Sequence, residues 1–154
     1  AKLSGPLLDR IDLQIQVPRM PPSDLRGDAP RGEATEVVRA RVLAARERQL
    51  ARAGKTNTQL GQAETERDCR LRDAEQAALE KAMATMMLSA RAAQRILRVA
   101  RTIADLAGAD SIGMDHLTEA ISYRQLDRET PAGVPMPVPK RVLKKGALEA
   151  NRKA

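Results

Sequence analysis

Between Ser89 and Gly108 the apolar residues Ala93, Ile96, Leu97, Ala100, Ile103, Ala104 and Ala107 recur at the i, i+3, i+4, i+7 spacing of a helix with one buried face. No polar residue interrupts the stripe. Ser89 stands where a side-chain oxygen caps a first turn, and Gly108 where a left-handed residue closes a last one. This segment constrains the fold more than any other, because a stripe of that length has to be covered by further elements of matching shape.

The composition says what those elements are made of. Tyr123 is the one aromatic residue in 154, so the core is built from Leu, Ile, Val, Met and Ala. That palette suits closely packed helices and argues against an aromatic-rich β-sandwich. A first helix is expected over residues 33–53, with Val37, Val38, Val42, Ala45 and Leu50 as its apolar positions. A weaker one is expected over 58–71, broken near Gly61. Asp73 or a neighbour caps a third that ends near Leu88, with Ala77, Ala78, Ala82 and Met86 marking one side. A last helix starts near Met114 or Asp115, carries Leu117, Ala120, Ile121 and Leu126 inward and ends close to Asp127. The expected fold class is therefore all-α, a bundle of four to five helices over residues 33–128.

The flanks read differently. Ile11, Leu13, Ile15 and Val17 alternate with Asp12, Gln14 and Gln16, the period of a strand with one buried face, which Pro18 closes. A lone strand leaves its ladder bonds unmade, so this one is expected to be an orphan of a sheet lying elsewhere in the protein. Residues 18–32 are dense in proline and glycine and read as a linker. Residues 129–154, rich in proline, read as a flexible tail. Six basic and two acidic residues there give +4 of the total charge of +7, leaving +3 for residues 1–128. A solvated tail explains most of this charge, and an anionic partner such as DNA is compatible with it. The scarcity of aromatic rings, with only Tyr123 available, argues against a base-stacking platform for single strands.

Several chemistries are excluded by counting. One cysteine, Cys69, permits no internal disulfide, fits a reducing cytoplasm and is expected to be buried packing. With one histidine, His116, no zinc set and no Ser/His/Asp or Cys/His constellation can be drawn, so no metal site is expected and a structural role near a helix start is expected for His116. No run is long and apolar enough for a membrane span. No Gly-x-x-x-x-Gly-Lys-Ser/Thr loop occurs, so these residues alone assemble no cradle for nucleotide phosphates.

The segment Ser4-Gly5-Pro6-Leu7-Leu8-Asp9-Arg10-Ile11-Asp12-Leu13, followed by Val38-Arg39-Ala40-Arg41-Val42, Leu88-Ser89-Ala90-Arg91, Arg95 to Leu106 and His116 to Arg124, resembles the C-terminal region of the magnesium-chelatase-like AAA+ ATPases of the ComM/YifB family. The resemblance covers roughly residues 3–128. It implies that residues 1–17 end a AAA+ core and that 33–128 form its helical lid. It further implies an oligomeric, hexameric motor that uses ATP and Mg²⁺, acts on DNA and serves branch migration during natural transformation. Arg10 matches the position of an arginine finger acting on the nucleotide of a neighbouring subunit. A guanidinium suits that task, being permanently charged, planar and able to hold two phosphate oxygens. The competing reading of Arg10 is a local ion pair with Asp9 or Asp12.

Arg91 looks like the family's sensor-2 arginine, and Arg95 and Arg98 follow on the same helix face as weaker nucleotide contacts. The competing reading makes all three the solvated side of an amphipathic helix. The arginines of the first helix, Arg39, Arg41, Arg46, Arg48 and Arg52, form either a stripe toward DNA or a solvated charged face. By itself the chain is not expected to hydrolyse ATP. Two other functions stay open: a lid in a magnesium-chelatase motor that loads the ion into a porphyrin, and a stand-alone basic helical DNA-binding module.

Overall fold

The computed structural model of the chain describes residues 10–15, 17 and 32–124. Five α-helices follow one another: α1 (Thr35–Ala53), α2 (Gln62–Asp68), α3 (Asp73–Met86), α4 (Ala90–Leu106) and α5 (Met114–Ser122), with a 3₁₀ turn at Asn57–Gln59 between the first two. The all-α expectation holds. The tail, Leu126, Asp9 and all of the linker except Gly32 lie outside the described residues.

α4 is the axis of the bundle because its apolar stripe is the longest. Ala92, Ala93, Ile96, Ala100 and Ala104 are buried along it. Alanines at the crossings let neighbouring backbones approach closely, and α1, α2, the 3₁₀ turn and α5 all pack against it. α3 completes the unit by packing on α5. The shared core joins Leu60, Cys69, Leu79, Ile96, Ile112 and Leu117. Full burial of a side chain such as Ile96 or Leu117 contributes about 1.5–3 kcal/mol.

The helix ends follow local chemistry. Ser89 Oγ accepts from the Ala92 amide at 3.1 Å, as its cap position requires. Gly108, at φ 71°, closes α4 in a Schellman motif, with Ala109 N donating to Ala104 O at 2.8 Å and Gly108 N to Asp105 O at 3.1 Å. α3 also ends on a left-handed residue, a methionine: Met87 has φ 49°, and both its amide and that of Leu88, at 3.0 Å, donate to Met83 O. At three other starts the third helical residue reaches back to the cap amide. Gln59 accepts from Thr56 N at 3.1 Å, Glu64 from Gly61 N at 2.8 Å and His116 Nδ1 from Gly113 N at 3.0 Å.

Three expectations need correction. Asp73 is the first residue of α3 and Arg72 occupies the cap position without a side-chain cap bond; Asp73 and Glu75 act instead through the positive end of the helix dipole. On α3, Ala78, Ala82 and Met86 do lie half-buried on the inner side with the buried Glu75 and Leu79, and only Ala77 of the expected four is exposed, because the helix phase is fixed by packing against α5.

The third correction concerns the expected strand. Among the described residues 10–15 and 17 no strand forms. One backbone bond joins the segment to the helices, Gln14 N to Tyr123 O at 2.9 Å, which is no ladder. The face is also inverted: Gln14 is buried, while Leu13, Ile15 and Val17 are 47, 64 and 84 % exposed. Polar contacts hold the segment, and Leu13 and Ile15 border open space beside α4 instead of packing into a core.

Candidate functional site

The segment bearing Arg10 lies across α4 and the turn after α5, where two arginine side chains and one main-chain carbonyl bond to it. Arg95 Nη1 donates to the Arg10 carbonyl at 2.8 Å and to Asp12 Oδ1 at 2.5 Å. Arg124 Nη1 donates to the Ile11 carbonyl, and Arg124 is 1 % exposed. The Tyr123 carbonyl takes the Gln14 amide, while its hydroxyl donates to Glu119 at 2.9 Å. Burial and then the hydrogen bond to Glu119 push the Tyr123 phenol up. A cavity of about 350 Å³ opens between the segment and α4, bounded by Leu13, Ile15, Val99, Ile103, Leu106 and Tyr123.

Arg10 itself is exposed. The local ion pair with Asp12 is not formed, because the Asp12 carboxylate is engaged by Arg95. The α4 arginines separate into two kinds. Arg91, in the first turn, is exposed. Arg95 is turned onto the N-terminal segment, and Arg98 Nη1 donates to the Leu60 carbonyl at 3.0 Å. The face on which Arg91, Arg95 and Arg98 fall is thus largely covered, and Arg91 is the member that still meets solvent.

Further along α4, beside Arg98, lies a buried network that sequence reasoning missed. Asp105, with no exposed side-chain surface, accepts from Arg52 at 2.9 and 2.6 Å and from Asn57 at 2.9 Å. It also pairs with Arg101 at 3.0 Å, whose guanidinium donates in turn to the Ala109 and Asp110 carbonyls at 2.6 and 2.9 Å. Asn57 adds a bond to Thr102, and its own amide donates to Gln49. Burial by itself raises the Asp105 carboxyl; the hydrogen bonds from Arg52 and Asn57 and the charges of Arg101 and Arg52 outweigh it and hold the group below the usual carboxylate range. This network pins α1 and the 3₁₀ turn to α4. The sequence did carry a signal for it: Arg101 and Asp105, an i, i+4 ion pair beside the apolar stripe, with the polar Gln49 and Asn57 between two helices.

The single cysteine and histidine are structural. Cys69 caps the end of α2, is 2 % exposed, and burial raises its thiol to about 11, so it is an inert packing residue. His116 completes the start of α5. On α1 the basic stripe is mostly paired: Arg41 with Glu33, Arg48 with Asp110 and Arg52 with Asp105. Arg39 and Arg46 are exposed, next to Leu43 and Leu50. Among the described residues no helix is long and apolar enough to cross a membrane.

Arg10 and Arg91 are exposed, while Arg95, on the same helix as Arg91, is anchored to the Arg10 carbonyl. Both exposed side chains suit an anionic ligand, because a guanidinium presents a planar fork of donors.

Comparison with known proteins places this geometry in context. Residues 32–124 match the family model described as magnesium chelatase, subunit ChlI C-terminal. The competence protein ComM of Haemophilus influenzae is 50 % identical over 127 residues, which cover 82 % of this chain and 25 % of ComM. The uncharacterized protein YifB of Escherichia coli is 46 % identical over 127 residues, again 82 % of this chain and 25 % of YifB. An uncharacterized Mycobacterium tuberculosis protein is 41 % identical over 128 residues, 80 % of this chain and 25 % of that protein. The chain spans about a quarter of the length of these relatives.

Proposed function

Since this chain belongs to the family of the magnesium chelatase subunit ChlI C-terminal region and has the all-helical fold described above, we propose that it is the lid of a ComM/YifB-type AAA+ ATPase, contributing arginines to nucleotide at the junctions of a ring. What supports the reading is the exposure of Arg10 at the position of the family's finger, with its backbone rather than its guanidinium tied to the helices. The two exposed guanidiniums fit the phosphate end of ATP, and this chain holds no phosphate-binding loop of its own. When bound with Mg²⁺, ATP supplies a γ-phosphoryl group whose equatorial oxygens gather charge during transfer.

In this reading Arg10 presents a fixed positive charge to those oxygens across a subunit boundary, and Arg91 reaches the phosphates from the lid of the subunit that binds them. Arg95 and Arg98, already engaged within the chain, act on the nucleotide indirectly. The motor is hexameric, works in the cytoplasm and acts on DNA.

Arg10→Ala in the intact protein should lower ATP turnover by about 10³- to 10⁵-fold, the range for arginine fingers, while nucleotide binding is retained. Mixing that variant with one whose phosphate-binding loop is disabled should restore part of the activity. Turnover that survives Arg10→Ala removes the finger from the proposal.

One observation favours a second reading. The matching family is described by a magnesium chelatase subunit, so the same lid would serve a motor loading Mg²⁺ into a porphyrin. DNA-stimulated ATPase in the intact protein supports the first reading; no stimulation, together with binding to a porphyrin-carrying partner, supports the second.

A further inference from the structure

We propose that Arg95 and Arg124 are positioning residues that clamp the backbone of residues 10–12 to the helical unit, so that the placement of Arg10 follows the movement of the helices. The inference rests on the reading of Arg10 as a finger and gives that finger its mechanical link.

The contacts fall on successive residues. The Arg10 carbonyl and the Asp12 carboxylate accept from Arg95, and the Ile11 carbonyl between them accepts from Arg124. The Gln14 amide then donates to Tyr123 O, the residue beside Arg124. The two clamping arginines come from different places, α4 and the turn after α5, and both are largely withdrawn from solvent: the Arg95 side chain is 14 % exposed and Arg124 1 %. A guanidinium taken out of water requires charge-assisted partners, and backbone carbonyls plus one carboxylate provide them.

What these donors grip is main chain. The Arg10 side chain is left exposed while its own carbonyl is fixed, the arrangement needed to aim a side chain without consuming it. A two-point hold from separate elements also restricts rotation of the segment as well as its translation. Misplacement of a reacting group by about 1 Å lowers rates by about 10²-fold, so the hold has a catalytic consequence if Arg10 acts on phosphate.

The clamp is tested first in this chain without nucleotide, by amide hydrogen exchange read at Gln14. Arg95→Ala should speed that exchange about tenfold or more while the amides of Ala100 and Ala104 keep their protection. Asp12→Ala, a change on the segment itself that leaves the core intact, should act in the same direction. Arg95→Lys, which keeps a charged donor for the Arg10 carbonyl and the Asp12 carboxylate, should retain part of the protection. Unchanged Gln14 exchange in Arg95→Ala overturns the clamp.

The positioning role is tested in the intact ATPase. Arg95→Ala should lower kcat by about 10²-fold with the KM for ATP unchanged, and Arg95→Lys should recover part of kcat. A raised KM with unchanged kcat would assign Arg95 to the nucleotide and overturn the positioning role. Survival of turnover in Arg10→Ala overturns the finger reading alone, because the exchange measurement reports the clamp without reference to ATP.

Discussion

The two flanks of α4 hold their neighbours by different means. Toward α5 and the core, Ile96, Ala100 and Ala104 meet Leu117 and Ala120 in an apolar contact that contains no polar atom of a side chain. Toward α1, the same helix presents Arg101 and Asp105, and the joint is closed by Arg52, Asn57 and Thr102. The first joint tolerates errors of geometry in proportion to lost volume. The second is all or nothing, since each buried charge depends on every other being present.

The sharpest way to break the comparison is Asp105→Ala. It leaves Arg101 buried and Arg52 without its carboxylate, and should destabilise the chain by about 3–5 kcal/mol in urea denaturation. Replacing the trio together, Arg52→Met, Arg101→Met and Asp105→Leu, should recover most of the loss, because desolvated ions rarely outperform well-packed apolar groups. A triple variant as unstable as Asp105→Ala would show that the flank needs its charges for more than mutual satisfaction.

The apolar flank should respond in a graded way. Ile96→Ala removes a 1 %-exposed side chain and should cost about 2–4 kcal/mol, measured by the same denaturation. Ile96→Val should cost about 1 kcal/mol. Equal losses for the two changes would break the proposed contrast.

That contrast also explains what was legible in the sequence. The apolar flank was readable because its period is a property of α4 alone, and Ser89 and Gly108 bracket it. The charged flank was not, because an arginine and an aspartate one turn apart on a helix read as a solvated pair until α1 covers them. Gly61 was readable as a break for a local reason, its place at the start of α2. The segment at residues 10–17 misled because alternation reports which residues share a face and not which face is buried; Gln14 turned inward to reach a carbonyl, and Arg95 and Arg124 supplied the hold. Arg10 and Arg91 were legible only through family resemblance, since an exposed arginine has no spacing signature of its own. Arg95 and Arg98 fell on the expected face, but their partners at Asp12 and Leu60 lie 83 and 38 residues away.

Acid should separate the flanks without mutation. The Asp105 carboxyl is held below its ordinary value of 3.8, so its contribution is present above that pH and is lost as pH falls through the lower folded value. Glu64, Asp68 and Glu75 are lowered too, by Lys55, Arg67 and Arg72 respectively, and act in the same direction from more exposed places. Stability measured from about pH 6 down to about pH 3 should therefore decline in the unaltered chain and in Ile96→Ala alike. Asp105→Asn, less stable at the upper end, should decline less. Parallel pH curves for Asp105→Asn and the unaltered chain would remove Asp105 as the source of the acid sensitivity.

The smallest expected effect serves as the control, because it belongs to neither flank. α3 and α4 both end on a left-handed residue, yet α4 uses Gly108 at φ 71° and α3 uses Met87 at φ 49°. A side chain in the left-handed region costs roughly 1–2 kcal/mol, and Met87, 83 % exposed, recovers little of that by packing. Met87→Gly removes this strain and adds the conformational entropy that glycine loses on folding, roughly 0.5–1 kcal/mol. The net should be a gain of about 0.5–1 kcal/mol, the same at about pH 6 and about pH 3, since no charge is involved. A gain that varies with pH would mean that the α3–α4 joint communicates with the charged network, and the two flanks of α4 would then have to be treated as one.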